Sequence, residues 1–346
     1  MSLPAELPLT LKAGGPLKEA IHNELGFSPE GYARVNVIKP LKLLPNVVGA
    51  AINQEIIRRR ILTAVKRLHL APFALLINDP LMAWFAKSAG ATPVVYDITD
   101  DWTKADRPPR IQNRLINSDR DLLENADAVV VCSEALMREK SAARQSVNLI
   151  PNAVDAQRYS PDRLRQLLSP ADLREVRKPI LMYVGTLHAD RLDVALIKQA
   201  ASLHSTKSFV FVGPNFLSDA QAREITDLWN CHILGSKSYA ILPDYFAIAD
   251  AFLIPHLTND FTNSLDPLKL YEYFATGKPV VASESVRYAD VRDLLYVSHS
   301  VEGFSANIDI ALAEVGDYRF NQRIDYARRF TWDSVAQKFG ELLMWG

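Results

Sequence analysis

Asp266-Pro267-Leu268-Lys269-Leu270-Tyr271-Glu272-Tyr273-Phe274-Ala275-Thr276-Gly277-Lys278-Pro279-Val280-Val281-Ala282-Ser283 is the run from which the fold can be read. Asp266 suits an N-cap, Pro267 the first helical position and Gly277 the residue after the helix, and Pro279 keeps the helix from resuming. The spacing predicts a short helix over 267–276 followed by a buried strand. Lys269 falls in the first turn, where free N–H groups and the positive end of the macrodipole favour anions. A cation there points to an anion to be held. Glu272, three residues on, shares that face, and its carboxylate can accept hydrogen bonds from the vicinal hydroxyls of a sugar. Phosphate beside the lysine and ribose beside the glutamate describe a nucleotide site. The two residues can equally be a plain i,i+3 surface pair worth a few tenths of a kcal/mol. On the helix alone the two readings stand level.

The strands around this run set the architecture. Residues 179–184, 209–212, 231–234, 251–254, 280–283 and 295–298 are continuous apolar segments separated by helical stretches. That pattern predicts a parallel sheet covered on both faces. Four of these strands run into turn-forming residues: Gly185-Thr186, Gly213-Pro214-Asn215, Gly235-Ser236-Lys237 and the segment 255–265. Several such turns at carboxyl ends make a ligand-binding rim.

Upstream, residues 73–77, 93–97 and 128–132 read as further buried strands, with 35–38 as another. Helices are expected over 52–68, 81–88, 111–124 and 135–140. Asp97, Asp100 and Asp101 sit at the exit of one strand, where three carboxylates repel one another unless something offsets them. Spacing alone favours a capping, solvated turn for them over an active-site loop. Residues 156–178, rich in Arg, Pro, Gln and Ser, read as a linker.

Composition sets outer limits. A chain of 346 residues, 48% hydrophobic and 23% charged, has the length of two ordinary domains. Its net charge of -1 argues against a nucleic-acid binder driven by a broad basic surface. Cys132 and Cys231 lie in apolar strands and read as reduced core thiols of a cytoplasmic protein. No stretch approaches ~18 consecutive apolar residues, and no His/Cys ligand cluster or short repeat is present.

The run 266–283 resembles, nearly letter for letter, the donor-nucleotide helix of GT-B glycosyltransferases, and more narrowly that of glycosyltransferase family four. Tyr96-Asp97 through Trp102 is similar to the family's run facing the donor. Pro151-Asn152-Ala153-Val154-Asp155 resembles the motif ending its first domain, with alanine in place of glycine. The resemblance implies an α/β protein of GT-B type, two Rossmann-like, doubly wound parallel-sheet domains facing a cleft. The expected division is 1–155 for an acceptor domain, 156–325 for a nucleotide-sugar donor domain and 326–346 for a closing helix crossing back. Residues 9–25 are either the family's first strand, loop and helix or a region in which that pair is missing.

The same resemblance implies the site. Glu272 would hold the ribose and Lys269 approach the pyrophosphate, with Gly185, Thr186 and Arg191 at positions where the family places its phosphate contacts. The bland alternative for Arg191 is a salt bridge to Asp190 or Asp193. Gly235, Ser236 and Lys237 would meet the nucleobase. The family's Glu-x7-Glu pattern would put its first glutamate where this chain has Ser264, so Ser264 and Leu265 could offer only backbone N–H groups and a hydroxyl. Asp100 is the first choice for taking a proton from the acceptor hydroxyl, with Asp97 and Asp101 as neighbours. The implied activity is metal-independent, cofactor-free transfer from a UDP- or GDP-type sugar to a carbohydrate or lipid-linked acceptor in cell-surface polysaccharide synthesis. Retention of anomeric configuration follows by analogy alone. A cytoplasmic location is expected, with peripheral contact at the inner membrane left open. The rival is a GT-B-shaped protein without transferase activity, favoured by Ser264; an epimerase or phosphorylase of the same fold is a third reading.

Overall fold

The computed structural model describes residues 25–27, 33–35, 47–70, 72–316 and 318–344. The readings placed on residues 9–25 and 36–38 lie, apart from Leu25, outside them. Described elements, in chain order, begin with β1 (Leu25–Phe27), β2 (Ala33–Val35), α1 (Val47–Arg67), β3 (Leu75–Ile77), α2 (Ala83–Ser88) and β4 (Val94–Ile98). There follow α3 (Pro109–Asn125), β5 (Ala128–Val131), α4 (Glu134–Lys140), β6 (Asn148–Leu149) and α5 (Pro161–Leu164). Next come β7 (Ile180–Val184), α6 (Val194–Leu203), β8 (Ser208–Val212), α7 (Asp219–Thr226), β9 (Cys231–Ile233), α8 (Leu242–Ile248) and β10 (Ala251–Ile254). The chain closes with α9 (Asp260–Ser264), α10 (Leu268–Ala275), β11 (Val280–Ser283), β12 (Tyr296–Ser298), α11 (Val301–Leu312), α12 (Tyr318–Arg328) and α13 (Trp332–Leu343). Among the described residues, no helix is long and apolar enough to cross a membrane.

The chain forms two compact units. One comprises residues 1–96, 117–127 and 343–346; the other, residues 97–116 and 128–342. In the first, β1 and β2 pair antiparallel, and β3 lies parallel to β4 with Leu75 opposite Val94. Ile57 and Ile61, one turn apart on α1, close over Phe85 and Ala89 of the α2 region. Tyr96, midway along β4, donates to Asp119 at 2.7 Å, so its buried hydroxyl is satisfied.

The second unit is built on a six-stranded parallel sheet in the order β12-β11-β10-β7-β8-β9. Alternation along each strand feeds two cores. Ile180, Met182, Val184, Phe252, Ile254 and Ala282 face α8, α10 and α12, where Phe246, Tyr273 and Phe274 meet them. Leu181, Tyr183, Phe209, Phe211, Leu253 and Val281 face α6 and α11, where Ile197, Ala200 and Ile308 meet them. Period-two strands with apolar residues at every position can only be covered on both sides, which is what makes the sheet doubly wound. The six strands read from sequence for this sheet agree with the observed ones to within one residue, whereas 73–77 upstream begins two residues later, at Leu75. The stretch 156–178 differs from its reading as a linker. Tyr159, Leu164 and Leu173 are buried in the core beneath α8, the apolar minority of a polar-looking segment.

Sheet order has a functional consequence. From β7 the chain runs outward through β8 and β9, then returns so that β10 lies on the other flank of β7. This reversal opens a crevice at the carboxyl ends of β7 and β10, the usual ligand position in open α/β sheets.

Candidate active site

The head of α10 differs from its reading by one residue and by its cap. Pro267, not Asp266, is the capping residue, and no side chain bonds to the first turn. The Asp266 carboxylate accepts instead from the Tyr271 hydroxyl at 2.9 Å and the Asn152 backbone N–H at 2.8 Å. Two better-placed donors outcompete the helix for it, and the first turn of α10 keeps its positive end uncapped. Gly277 takes φ +74 just past the helix, as the left-handed stop requires.

From that first turn Lys269 reaches across to the exit of β7. Its ammonium donates to the Tyr183 hydroxyl at 3.1 Å and lies 4.5 Å from the centre of that ring. The hydroxyl in turn donates to the Thr186 carbonyl at 3.1 Å. Gly185, with φ +147, leaves room for this arrangement, since a Cβ there would lie 2.9 Å from Lys269 Nζ. Lys269 is engaged by Tyr183 and Glu272 by Tyr159 rather than by one another, so the plain surface pair is not what the structure contains.

Arg191 enters the same crevice from the loop before α6. Both candidate partners are engaged elsewhere: Asp190 pairs with Arg107 at 2.9 Å, and Asp193 caps α6 through the Leu196 N–H at 2.9 Å. Among the described residues Arg191 has no ion pair, its guanidinium lies 5.8 Å from the Phe261 ring, and its buried Nε has no hydrogen-bond partner. An uncompensated guanidinium donor in a buried position is costly unless something is to be bound. His256, not singled out from sequence, is buried beside these cations. Burial, then Lys269 and Arg191, hold its pKa well below the usual value, so the ring is neutral.

The three aspartates separate into different roles. Asp101 is almost fully buried, ion-paired with Lys140 at 3.4 Å and accepting from the Thr103 N–H at 3.1 Å. It ties down its own loop. Burial raises the Asp100 pKa, and Arg191 and Lys269 pull it back, so this carboxylate shares the cations' neighbourhood. Burial alone pushes Asp97 up to about 6. Cys132, donating to the Thr99 carbonyl, is a spectator whose thiol pKa is driven up by burial and by Asp266, Asp100 and Asp97.

Glu272 accepts from the Tyr159 hydroxyl at 3.1 Å. Burial pushes its pKa up to about 7, against the pull of Tyr159, Lys269 and Arg158. Beyond it, Gly235 takes φ +70 and its carbonyl accepts from the Gly213 N–H at 2.9 Å. Ser236 is exposed, while Lys237 is spent on Asp172 at 2.7 Å. The flat surface here is Tyr239, 55% exposed, with the Arg158 guanidinium 4.0 Å from its ring. Neither Arg158 nor Tyr239 carries a local sequence signal. Their pairing spans 81 positions. Ser264 turns inward: its hydroxyl donates to the Phe261 carbonyl at 2.7 Å, and its own carbonyl accepts from Ser133. Leu265 packs with Phe261 and Ala105, and its N–H reaches the Thr262 carbonyl at 3.3 Å. The side-chain hydroxyl expected of Ser264 and the N–H expected of Leu265 are thus engaged within the loop.

Residues 178–314 match the family model described as Glycosyl transferases group 1. The chain is 26% identical over 262 residues to a protein of Bacillus subtilis (strain 168) assigned to teichuronic acid biosynthesis as the glycosyltransferase TuaH, covering 71% of this chain and 65% of that protein. The chain therefore spans under two thirds of that relative's length. Among solved structures, sucrose-phosphate synthase from Thermosynechococcus elongatus superposes with a TM-score of 0.67 at 18% identity, covering 92% of this chain and 84% of that one. HepE from Anabaena, in complex with UDP and glucose, does so at 0.62 and 19% identity, covering 82% and 80%. The chain has the α/β GT-B glycosyltransferase fold, and it is similar to TuaH.

Proposed function

We propose that this chain is a glycosyltransferase that moves a sugar from a nucleotide diphosphate, of UDP or GDP type, to a carbohydrate or lipid-linked acceptor in cell-surface polysaccharide synthesis. The observation that carries the reading is the pair of cations at the β7/β10 crossover. Lys269 and Arg191 lie close enough to act together on Asp100 and His256, and neither has an ion-pair partner among the described residues. The UDP-bound neighbour HepE and the naming of TuaH support the donor and the pathway class.

In this reading the diphosphate rests against Lys269, Arg191 and the uncapped first turn of α10. The ribose lies on Glu272, and the base on the backbone at Gly235 and the ring of Tyr239. In the chemical step the bond from the anomeric carbon to the β-phosphate oxygen breaks, its electron pair leaving with the diphosphate. The acceptor oxygen forms the new carbon–oxygen bond, and its proton passes to the Asp100 carboxylate. Charge growing on the departing phosphate is stabilised by the two side-chain cations, whose positions need no reorganisation as the bond lengthens. That supports a metal-independent reaction, and the family analogy supports retention of configuration.

The second reading, a nucleotide binder without transfer activity, is favoured by the inward-turned Ser264 where the family carries a carboxylate. Calorimetry with UDP and GDP, followed by assays for release of the nucleoside diphosphate from their sugars, separates the two. Binding with turnover supports the transferase, binding without turnover the second reading, and failure to bind any nucleotide refutes both.

A further inference from the structure

Arg191 lies in sequence between two aspartates, Asp190 and Asp193, and its availability to a phosphate depends on what each of them holds. Asp193 is fixed as the cap of α6. Asp190 is the adjacent one, and consecutive Cα atoms are only about 3.8 Å apart. The loop that carries the two residues is pinned: the Arg191 N–H donates to the His188 carbonyl at 3.1 Å, and the Arg191 carbonyl accepts from the Leu257 N–H at 2.8 Å. Asp190 therefore stays beside its neighbour, and its charge has to be matched where it stands. His188 Nδ1 lies 3.3 Å from one carboxylate oxygen, yet that nitrogen accepts the Asp190 N–H at 3.1 Å. Among the described residues the permanent cation paired with Asp190 is Arg107, 2.9 Å from the other oxygen.

Arg107 reaches Asp190 across 83 positions, on the segment that begins with Asp100 and Asp101. The segment has its own anchors. Asp101 is paired with Lys140, Ala105 packs with Phe261 and Leu265, and the Trp102 ring centre lies 5.8 Å from that of Phe261. The Arg107 guanidinium lies 5.7 Å from the Trp102 ring centre and donates to the Asp106 carbonyl at 2.8 Å. Packing of the segment thus delivers the guanidinium to Asp190. The two side chains are 28% and 16% exposed, so their charges are screened less than those of an open surface pair. Without Arg107, an unmatched carboxylate would stand one residue from a cation assigned to the diphosphate. It would oppose the phosphates through space, and it would offer Arg191 an ion-pair partner within the protein.

We propose that Arg107 is a positioning residue for the nucleotide pocket: by holding Asp190 it keeps Arg191 free to meet a diphosphate. This role rests on the donor pocket described above and adds to it a residue that itself touches no nucleotide. The two halves of the ion pair should then act in opposite directions, which a contact that merely braces the loop would not produce. The test is calorimetric titration of the full chain with UDP and uridine, or with GDP and guanosine where that is the nucleotide bound. Arg107→Met, which keeps an apolar stem against Trp102, is expected to bind the diphosphate about three- to thirtyfold more weakly than the parent. Asp190→Asn, which breaks the same pair but removes the negative charge, should bind it at least as tightly as the parent, and the double variant should match Asp190→Asn. Nucleoside affinity should move less than about twofold in all three, and the Arg107→Met deficit should shrink as salt is raised. The proposal is overturned if Arg107→Met binds the diphosphate as the parent does, if Asp190→Asn loses affinity, or if the double variant stays as weak as Arg107→Met. A parent that binds neither UDP nor GDP removes the pocket itself, whereas a parent that binds, with Arg107→Met unchanged from it, removes only the role of Arg107.

Discussion

Lys269 and Tyr183 are 86 positions apart in the chain, yet the ammonium of one is seated 3.1 Å from the hydroxyl and 4.5 Å from the ring centre of the other. The contact orients the lysine towards the exit of β7 without neutralising it, since a neutral phenol contributes a lone pair and a π face but no counter-charge. Lys269→Ala is therefore expected to weaken UDP by about 10–100-fold, some 1.4–2.8 kcal/mol, with uridine affinity changed less than about threefold. Tyr183→Phe keeps the π face and should cost UDP only a few-fold. Calorimetry on both ligands checks this, and equal losses for UDP and uridine in Lys269→Ala would remove the phosphate role.

Gly185 is the space into which that lysine is folded. Gly185→Ala forces a Cβ to within 2.9 Å of Lys269 Nζ at φ +147, a backbone conformation that alanine rarely adopts. The expected loss is about 1–3 kcal/mol of stability, together with weakened UDP binding. Chemical denaturation and UDP titration of the variant measure the two effects.

Asp100 shares the neighbourhood of Arg191 and Lys269, and its negative charge opposes a second anion there. Asp100→Asn should lower turnover by about 10²–10⁴-fold while UDP binds a few-fold tighter. Loss of turnover with weaker UDP binding would show a structural role for the carboxylate instead.

Glu272 titrates near neutrality. Its folded pKa of about 7 lies above the ordinary carboxyl value of 4.5, so the folded state holds the proton more tightly than the unfolded chain. The stability this contributes is complete below about pH 4.5 and is lost as pH rises through 7, in total of order 3–4 kcal/mol. Glu272→Gln should consequently be more stable than the parent at pH 8 and closer to it at pH 5. Affinity for uridine, which does not itself titrate in this range, should rise between pH 6 and 8 in the parent, as the carboxylate forms and accepts from the ribose, and stay flat in the variant. Denaturant midpoints and uridine titrations across pH 5–8 decide both points.

Arg323 is fully buried and grips Glu314 through two bonds of 2.6 and 2.7 Å, with further bonds to the Gly277 and Leu294 carbonyls. Arg323→Met strands Glu314 and should cost about 3–5 kcal/mol. Adding Glu314→Gln should recover part of it, because the stranded charge and not the lost contact dominates. A double-mutant cycle by denaturant unfolding tests that order.

Much of the second unit was legible because its signals are local. Six apolar strands, the Pro and Gly brackets of α10 and the glycines after three of the strands are read from neighbours a few positions apart, and the observed boundaries differ by a residue or less. The 269/272 pair stands out for the same reason, whereas Arg191 is marked only by the family resemblance. Asp266 was misread as a cap because its stronger donor, the Asn152 N–H, lies 114 positions away. Tyr159, Leu164 and Leu173 were hidden in a polar segment, and His256 was one histidine among seven with nothing beside it to mark it.

Taken by itself, the chain of residues determined the α/β class, the two-sided burial of the sheet, and the presence of a short helix with a lysine at its head. Only the tertiary structure decided which charges stay available: Asp190 is claimed by Arg107 and Lys237 by Asp172, leaving Arg191 and Lys269 without an ion-pair partner among the described residues. The reason is physical. Periodicity and turn chemistry act between residues that are neighbours along the backbone, whereas neutralisation of a charge depends on distance in space, which the chain reaches only once it has folded.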